Sequence, residues 1–222
     1  LYRIGNGEHG IEMLRITFTE GMTVLDMSEL LRETIASFDT TTFLTEASTS
    51  EGYLFPDTYF ILPTETPAEL VERLKMRFDE QFASLGPGIA ASGKSQYDIV
   101  IMASLVEREA KYVEDKHIVA DILWSRISKN MPLQVDAVFG YIHSQNGYTP
   151  TRKDLESDSP YNTYRKRGLP PTPIANPGLE SLEAAATPEK TPYLYYLTGK
   201  DGNMHYARTF EEHKRNRVLY LD

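Results

Sequence analysis

The chain has no cysteine in its 222 residues, which excludes disulfides, thiolate zinc sites, cysteine-ligated iron–sulfur clusters and cysteine nucleophiles together. The absence does not select a compartment, because a reducing cytosol and a disulfide-free extracytoplasmic protein both permit it. No run of about 20 apolar residues occurs, so no segment reads as a membrane span. The opening LYRIGNGEHG resembles neither a signal peptide nor a start. A basic excess is also missing: 23 Lys and Arg stand against 32 Asp and Glu, and the net charge of -9 argues against a nucleic-acid backbone as the main partner. His9, His117, His143, His205 and His213 show no HExxH spacing and no acidic cluster beside them, so no metal is expected. GxSxG, GxGxxG and GxxxxGK are absent too, which removes the serine elbow, the dinucleotide fold and the P-loop, and no cofactor is expected. What remains is an ordinary globular composition, 41% hydrophobic and 25% charged.

The periodicities predict an α+β fold: a helical core, short antiparallel strands and long irregular loops lining a cleft. IEMLRITF, residues 11–18, has strand alternation and ends at Glu20-Gly21. Thr23 caps a short helix over 24–35, with Asp26 three residues on as an imperfect capping box, and 37–50 forms a short helix or loop. In EGYLFPDTYFILP, residues 51–63, Pro56 divides two extended pieces. Thr66, Pro67 and Glu69 open an amphipathic helix through Phe82. Gly86 to Gly93 interrupts the pattern, marking 84–95 as a candidate internal linker. Helices are expected again over 97–113 and 115–128. The coil 157–178 is long enough to suggest a lid or a binding wall. A short helical piece at 182–186, a hairpin over 191–210 turning at Asp201-Gly202, and a terminal helix packed through Val218 and Leu219 complete the chain.

YDIVIMASLVEREAKYV, Tyr97 to Val113, carries the strongest helical signal and a misplaced acid. At about 100° per residue, Met102, Val106, Glu109 and Val113 share one stripe. Glu107 points away from it, with Lys111 four residues on as a solvated partner. A carboxyl on a packed face must be paired, hydrogen-bonded or held with a raised pKa, and the last is what a general acid requires. The plainer alternative is a carboxylate at the helix margin or bonded to buried backbone.

Outside this helix, Glu51 and Asp57 lie in an aromatic motif. Gln134 and Asp136 sit two apart on one side of an extended piece, and Tyr161, Asn162, Thr163 and Tyr164 crowd beside Arg165, Lys166 and Arg167. Aromatic faces and side-chain amides suit a sugar chain, whose C–H faces stack while its hydroxyls and N-acetyl groups hydrogen-bond. Each has a simpler reading: tyrosines that pack, an Asx turn at Asn162, a solvated basic run.

Six motifs in order, EGYLFPDTY (51–59), MASLVEREA (102–110), MPLQVDAVFGY (131–141), SPYNTYRKRGLPPTPIANPG (159–178), SLEAAATPEKTPYLYYL (181–197) and HYARTFEEH (205–213), resemble the endolytic murein transglycosylase family, also called YceG-like. The resemblance covers the chain from about residue 12. It implies bacterial enzymes held to the membrane on its extracytoplasmic face, which cut peptidoglycan glycan strands and leave a 1,6-anhydro-N-acetylmuramic acid end. It implies residues 1–20 as the end of a LysM-like subdomain and entry strand, 21–222 as the catalytic domain, and an upstream membrane helix. Peptidoglycan synthases are implied as partners.

The catalytic glutamate of such enzymes is the second acid of VE(K/R)E, here Glu109. The resemblance gives Glu51, Asp57, Gln134, Asp136, Tyr161, Asn162, Thr163 and Tyr164 supporting roles. The chain departs from the pattern at Ala137-Val138, at Ser125 before Arg126, and at Thr172, positions that bear on loop shape and sugar contacts. A muramidase-like hydrolase and a peptidoglycan-binding protein without turnover are the alternatives.

Overall fold

The chain starts with strand β1 (Leu14–Thr17), helices α1 (Val24–Thr34) and α2 (Thr40–Glu46), strand β2 (Thr58–Ile61) and the long helix α3 (Pro67–Ser84). The computed structural model describes residues 12–222; the first eleven residues, where most of the expected LysM-like remnant falls, lie outside the described residues. Antiparallel pairing sets Leu14 against Ile61 and Thr17 against Thr58. Thr23 and Thr66 each form a full capping box, with Asp26 and Glu69, so two orphan donors are satisfied at each helix start. Of the two extended pieces expected around Pro56, only β2 forms. The preceding residues are turns, held by the Asn176 side chain through the Gly52 and Leu54 N–H groups at 2.9 Å.

Two apolar cores share α3. Leu70 and Leu74 pack with Phe18, Met27, Leu31 and Phe43 in the first. Phe78 and Phe82, two and three turns further on, enter the second. Within the stretch expected as a linker stands α4 (Pro87–Ser92), bounded by Gly86 and Gly93 at φ 53° and 65° and packed on α9 (Leu179–Ala186). Those left-handed glycines at both ends make six helical residues look like coil in sequence.

The second core is built on α5 (Gln96–Glu109), α6 (Val113–Ser128) and α9. Every residue from Ile99 to Val106 is buried, so α5 is enclosed on all faces rather than along one stripe. It ends at Glu109, with Ala110 extended at φ -126°. Val113 therefore begins α6 and does not continue the stripe. Ser104, in the middle of α5, accepts the Ile174 N–H at 3.0 Å and ties the irregular 157–178 stretch to the helix. That stretch has neither helix nor strand and runs from α8 (Arg152–Glu156) to α9, as its composition predicts.

Between α6 and α8 lies α7 (Ala137–Ile142). Strands β3 (Tyr195–Thr198) and β4 (Met204–Ala207) form the expected hairpin, with Tyr196 opposite Tyr206. The last helix, α10 (Phe210–Tyr220), meets this hairpin through His213, Asn216 and Tyr220: His213 stacks on Tyr195, Asn216 bonds the Tyr206 carbonyl, and Tyr220 stacks on His205. Val218 and Leu219, expected to pack, are 65% and 71% exposed, because the contacting residues lie on another face of the helix. No helix among the described residues is long and apolar enough to cross a membrane.

Candidate active site

Glu109 occupies the last position of α5, where the chain turns through Ala110 into α6. Its Oε2 accepts the Tyr196 hydroxyl at 3.1 Å, and the Ala137 N–H at the start of α7 also reaches its carboxyl. Burial pushes the group up to about 7, and the negative Asp136 adds to this. The Tyr196 and Ala137 donors and the Arg126 guanidinium act in the opposite direction. Glu109 still keeps a partly exposed surface, so a carboxyl close to half-protonated at neutral pH remains within reach of a ligand.

The surrounding groups come from four elements. Arg126 of α6 is 5% exposed and spends its donors on the Leu194 and Leu133 carbonyls, at 2.8 and 2.7 Å. It lies 5.2 Å from the Tyr195 ring centroid, so it fixes the base of the hairpin while lending positive potential to the site. Tyr196 and Tyr206 are cross-strand partners. Tyr196 holds Glu109, and Tyr206 donates to Asp115 at the start of α6. The hairpin thus clamps both sides of the α5–α6 turn. Removing one donor should be readable: Tyr196→Phe raises the Glu109 pKa above that of the wild type, because the lost bond favours the ionised form. A carboxyl-carbon NMR titration of the two proteins checks the direction.

Several expected residues converge here and others do not. Leu133 and Val135 are buried while Gln134 and Asp136 are exposed, so the last two do share a side. Gln134 adopts φ 54°, a left-handed turn rather than the plain extended piece expected. Tyr164 donates to Asp136, joining the wall to the α7 start. Asn162 and Thr163 are fully enclosed and hold loops. The Asn162 amide reaches the Asp154, Leu155 and Ser157 carbonyls and accepts the Tyr164 N–H at 3.0 Å, an Asx turn. Thr163 exchanges both hydrogen bonds with the Val135 backbone.

The basic run is engaged as well: Arg165 and Arg167 bond the Glu156 and Asn130 carbonyls, and Lys166 pairs with Asp158. Asp57 lies elsewhere, paired with Arg77 at 3.0 Å in a separate charged pocket beside Glu20 and Lys116.

Beside the site opens a cleft of about 590 Å³, within the size range of small-ligand sites. Glu51, Tyr141 and Tyr161 line it. Glu109 is not part of this lining. Ala137, which does line the cleft, connects the two through its N–H. Tyr141 and Tyr161 meet with ring centroids 5.4 Å apart, and the Thr172 hydroxyl, one of the departures noted above, bonds Tyr161 at 2.8 Å.

Sequence reasoning missed Tyr196, Arg126 and the Ala137 N–H as partners of Glu109. Only the tyrosine-rich TPYLYYL run signalled any of them. Glu107 is a correction. It is not a surface partner of Lys111; its side chain is 8% exposed and bonds Lys116 at 3.1 Å, the Gly178 N–H at 2.9 Å and the Ser181 hydroxyl at 2.8 Å. Lys111 lies over the Tyr112 ring instead. Among the described residues no group of three or more His, Asp or Glu side chains is placed to hold a metal ion.

The fold and site define an α+β protein with a helical core, in which one helix-terminal carboxyl sits beside a tyrosine-lined cleft. The chain matches the YceG-like family over residues 2–218 and belongs to it. It is 38% identical over 172 residues to the endolytic murein transglycosylase of Bacillus subtilis (strain 168), covering 77% of this chain and 48% of that protein. The protein of the same name from Streptococcus pneumoniae (strain D39) is 31% identical over 172 residues, 75% of this chain and 31% of that one. The chain thus spans about half or less of the length of these curated relatives. A crystal structure of a yceG-like protein from Listeria monocytogenes superimposes with a TM-score of 0.82 at 28% identity, over 90% of this chain and 75% of that one.

Proposed function

We propose that this chain is the catalytic part of an endolytic lytic transglycosylase acting on peptidoglycan glycan strands, with Glu109 as acid and then base. The observation that carries the reading is the Glu109 carboxyl at the end of α5, pushed up to about 7 by burial while it stays bonded to the Tyr196 hydroxyl. The relatives' names supply the substrate class. Residues 1–20 are read as the end of a LysM-like subdomain. The protein is read as acting on the extracytoplasmic face of the membrane, with an upstream anchor and with peptidoglycan synthases as partners.

Protonated Glu109 donates to the oxygen linking N-acetylmuramic acid to N-acetylglucosamine, and the C1–O bond breaks as positive charge grows on C1. The carboxylate left behind takes the proton of the muramic C6 hydroxyl while that oxygen bonds C1. The products are a free 4-hydroxyl on N-acetylglucosamine and a 1,6-anhydro end, with no water consumed. An attacking oxygen already in the substrate has a high effective concentration, so one carboxyl suffices. Asp136, whose charge is felt by Glu109, is read as favouring the developing cation. Gln134, Tyr161 and Tyr164 are read as sugar contacts, and Asn162 and Thr163 as the braces behind them.

Mass spectrometry of products from uncrosslinked glycan tests the assignment: anhydro ends support it. Products that have gained water would instead make Asp136 the second acid of a muramidase-like hydrolase. The rate should also report the acid. Turnover is expected to hold steady below pH 7 and to fall above it, up to about tenfold per unit, as Glu109 loses its proton. A pH profile of kcat measures this.

A further inference from the structure

Glu51 is a half-buried carboxyl of the cleft, and its hydrogen bonds are unevenly distributed. Oε1 accepts the Val24 N–H at 3.2 Å and the Asn176 side-chain amide at 3.1 Å. Among the described residues, Oε2 has only an equal share of the same Val24 N–H, at 3.2 Å. The residue lines the cleft with Tyr141 and Tyr161. Ala137 and Tyr141 stand one turn apart on α7, about 6 Å along the axis. Glu109 lies within reach of the N–H at the Ala137 end of that turn, and Glu51 lies by the Tyr141 end, close enough for its charge to be felt by the Tyr141 phenol. One helical face therefore lies between the two acids.

We infer that Glu51 is a substrate-positioning residue that works as a neutral carboxylic acid, its Oε2–H donating to a carbonyl or hydroxyl oxygen of the sugar bound against Tyr141 and Tyr161. This rests on the proposed glycan reading and extends it to a named contact away from the bond that breaks. The geometry suits the role: the Asn176 amide bonds Oε1 while the Val24 N–H is shared equally by both oxygens, which leaves Oε2 as the oxygen freer to carry the proton. Burial and the neighbouring Asp26 of α1 both push the Glu51 carboxyl up, to about 7, against the Val24 and Gly52 N–H groups. The other charged or titratable groups around it are Tyr141 of α7, Tyr161 of the irregular wall and Arg108 of α5. Arg108 spends its guanidinium on the Gly21 carbonyl and the Asn146 side chain, at 3.1 and 2.8 Å. A carboxylate at this position would present only acceptors to a sugar carbonyl; the acid presents a donor.

The test uses binding, so that Glu109 titration does not enter. In Glu109→Gln protein, the Kd for purified uncrosslinked glycan strands is expected to weaken roughly tenfold between pH 6 and pH 8. Adding Glu51→Gln, whose amide donates at every pH while its carbonyl keeps the Val24 and Asn176 bonds, should give a Kd that is flat with pH and as tight at pH 8 as at pH 6. A structural role alone would not move the slope. A flat profile in Glu109→Gln protein, or an unchanged slope in the double variant, overturns the inference. So does an unfolded double variant, shown by circular dichroism, since the amide would then have failed to replace the acid. Wild type that cleaves glycan while Glu109→Gln binds none at either pH overturns it too. Wild type that neither cleaves nor binds overturns the glycan reading and this one with it.

Discussion

On the proposed mechanism, Glu109→Gln is expected to lower glycan turnover by roughly 10³- to 10⁴-fold, the upper part of what a positioned acid–base group supplies, because one carboxyl would serve both proton transfers. The amide keeps the shape and still accepts the Tyr196 hydroxyl, so the fold and glycan binding should survive. Stability gives an independent check. The carboxyl rises from 4.5 to about 7 on folding. Between those values the folded protein holds a proton that the unfolded chain has released, so stability falls as pH rises from 4.5 to 7 and levels off above. Glu109→Gln should flatten this slope in part, with Glu51, shifted in the same direction, supplying the remainder. Urea unfolding at pH 5 and pH 7.5 measures the difference. A variant that turned over glycan within tenfold of wild type would remove Glu109 from the mechanism.

The parts of this architecture legible in the sequence are those decided by local chemistry. Thr23 with Asp26 and Thr66 with Glu69 announce helix starts because a side chain and a backbone three residues away satisfy one another. Asp201-Gly202 announces a hairpin, since Gly202 sits at φ 78°. What escaped depends on residues far apart in the chain. Tyr196 meets Glu109 across 87 positions and Asn176 meets Glu51 across 125, and no periodicity encodes such pairs.

The helical stripe singled out Glu109 for an incomplete reason. Glu109 is distinctive because α5 ends there against α7 and the hairpin. Phase could not rank the two glutamates by burial inside a helix enclosed on every face from Ile99 to Val106. The same reasoning sent Val218 and Leu219 inward, because an apolar pair near a chain end looks like packing until the partner surface is known. Asn162 and Thr163 mixed two signals: the Asx turn was readable, but the burial that makes them braces comes from the 133–135 and 154–157 segments laid over them.

Glu107→Ala is expected to cost about 3–5 kcal/mol of stability, the cost of breaking a buried ion pair by removing one partner. With Lys116 at 6% side-chain exposure and Glu107 at 8%, the pair is nearly out of water. Among the described residues, the truncation leaves the ammonium with only Glu180, a 3.4 Å contact to a half-exposed side chain. It also leaves the Gly178 N–H and the Ser181 hydroxyl without their acceptor. At roughly 2–4 °C per kcal/mol for a chain of this size, the melting temperature should drop by about 6–20 °C. Glu107→Gln should lie between, since its carbonyl can still serve Gly178 or Ser181 but cannot neutralise Lys116. Both effects reach catalysis indirectly. Glu107 fastens the last turn of α5 to α6 and to the start of α9, and Glu109 is two residues further along that turn. The expected signature is therefore a turnover that is close to wild type at low temperature and collapses early on heating, whereas Glu109→Gln is inactive at every temperature with its melting curve preserved. Two nearby acids of one motif are separated in this way by thermal melts and rate measurements on the same samples: Glu107 by its hold on the helix end, and Glu109 by the chemistry proposed for it.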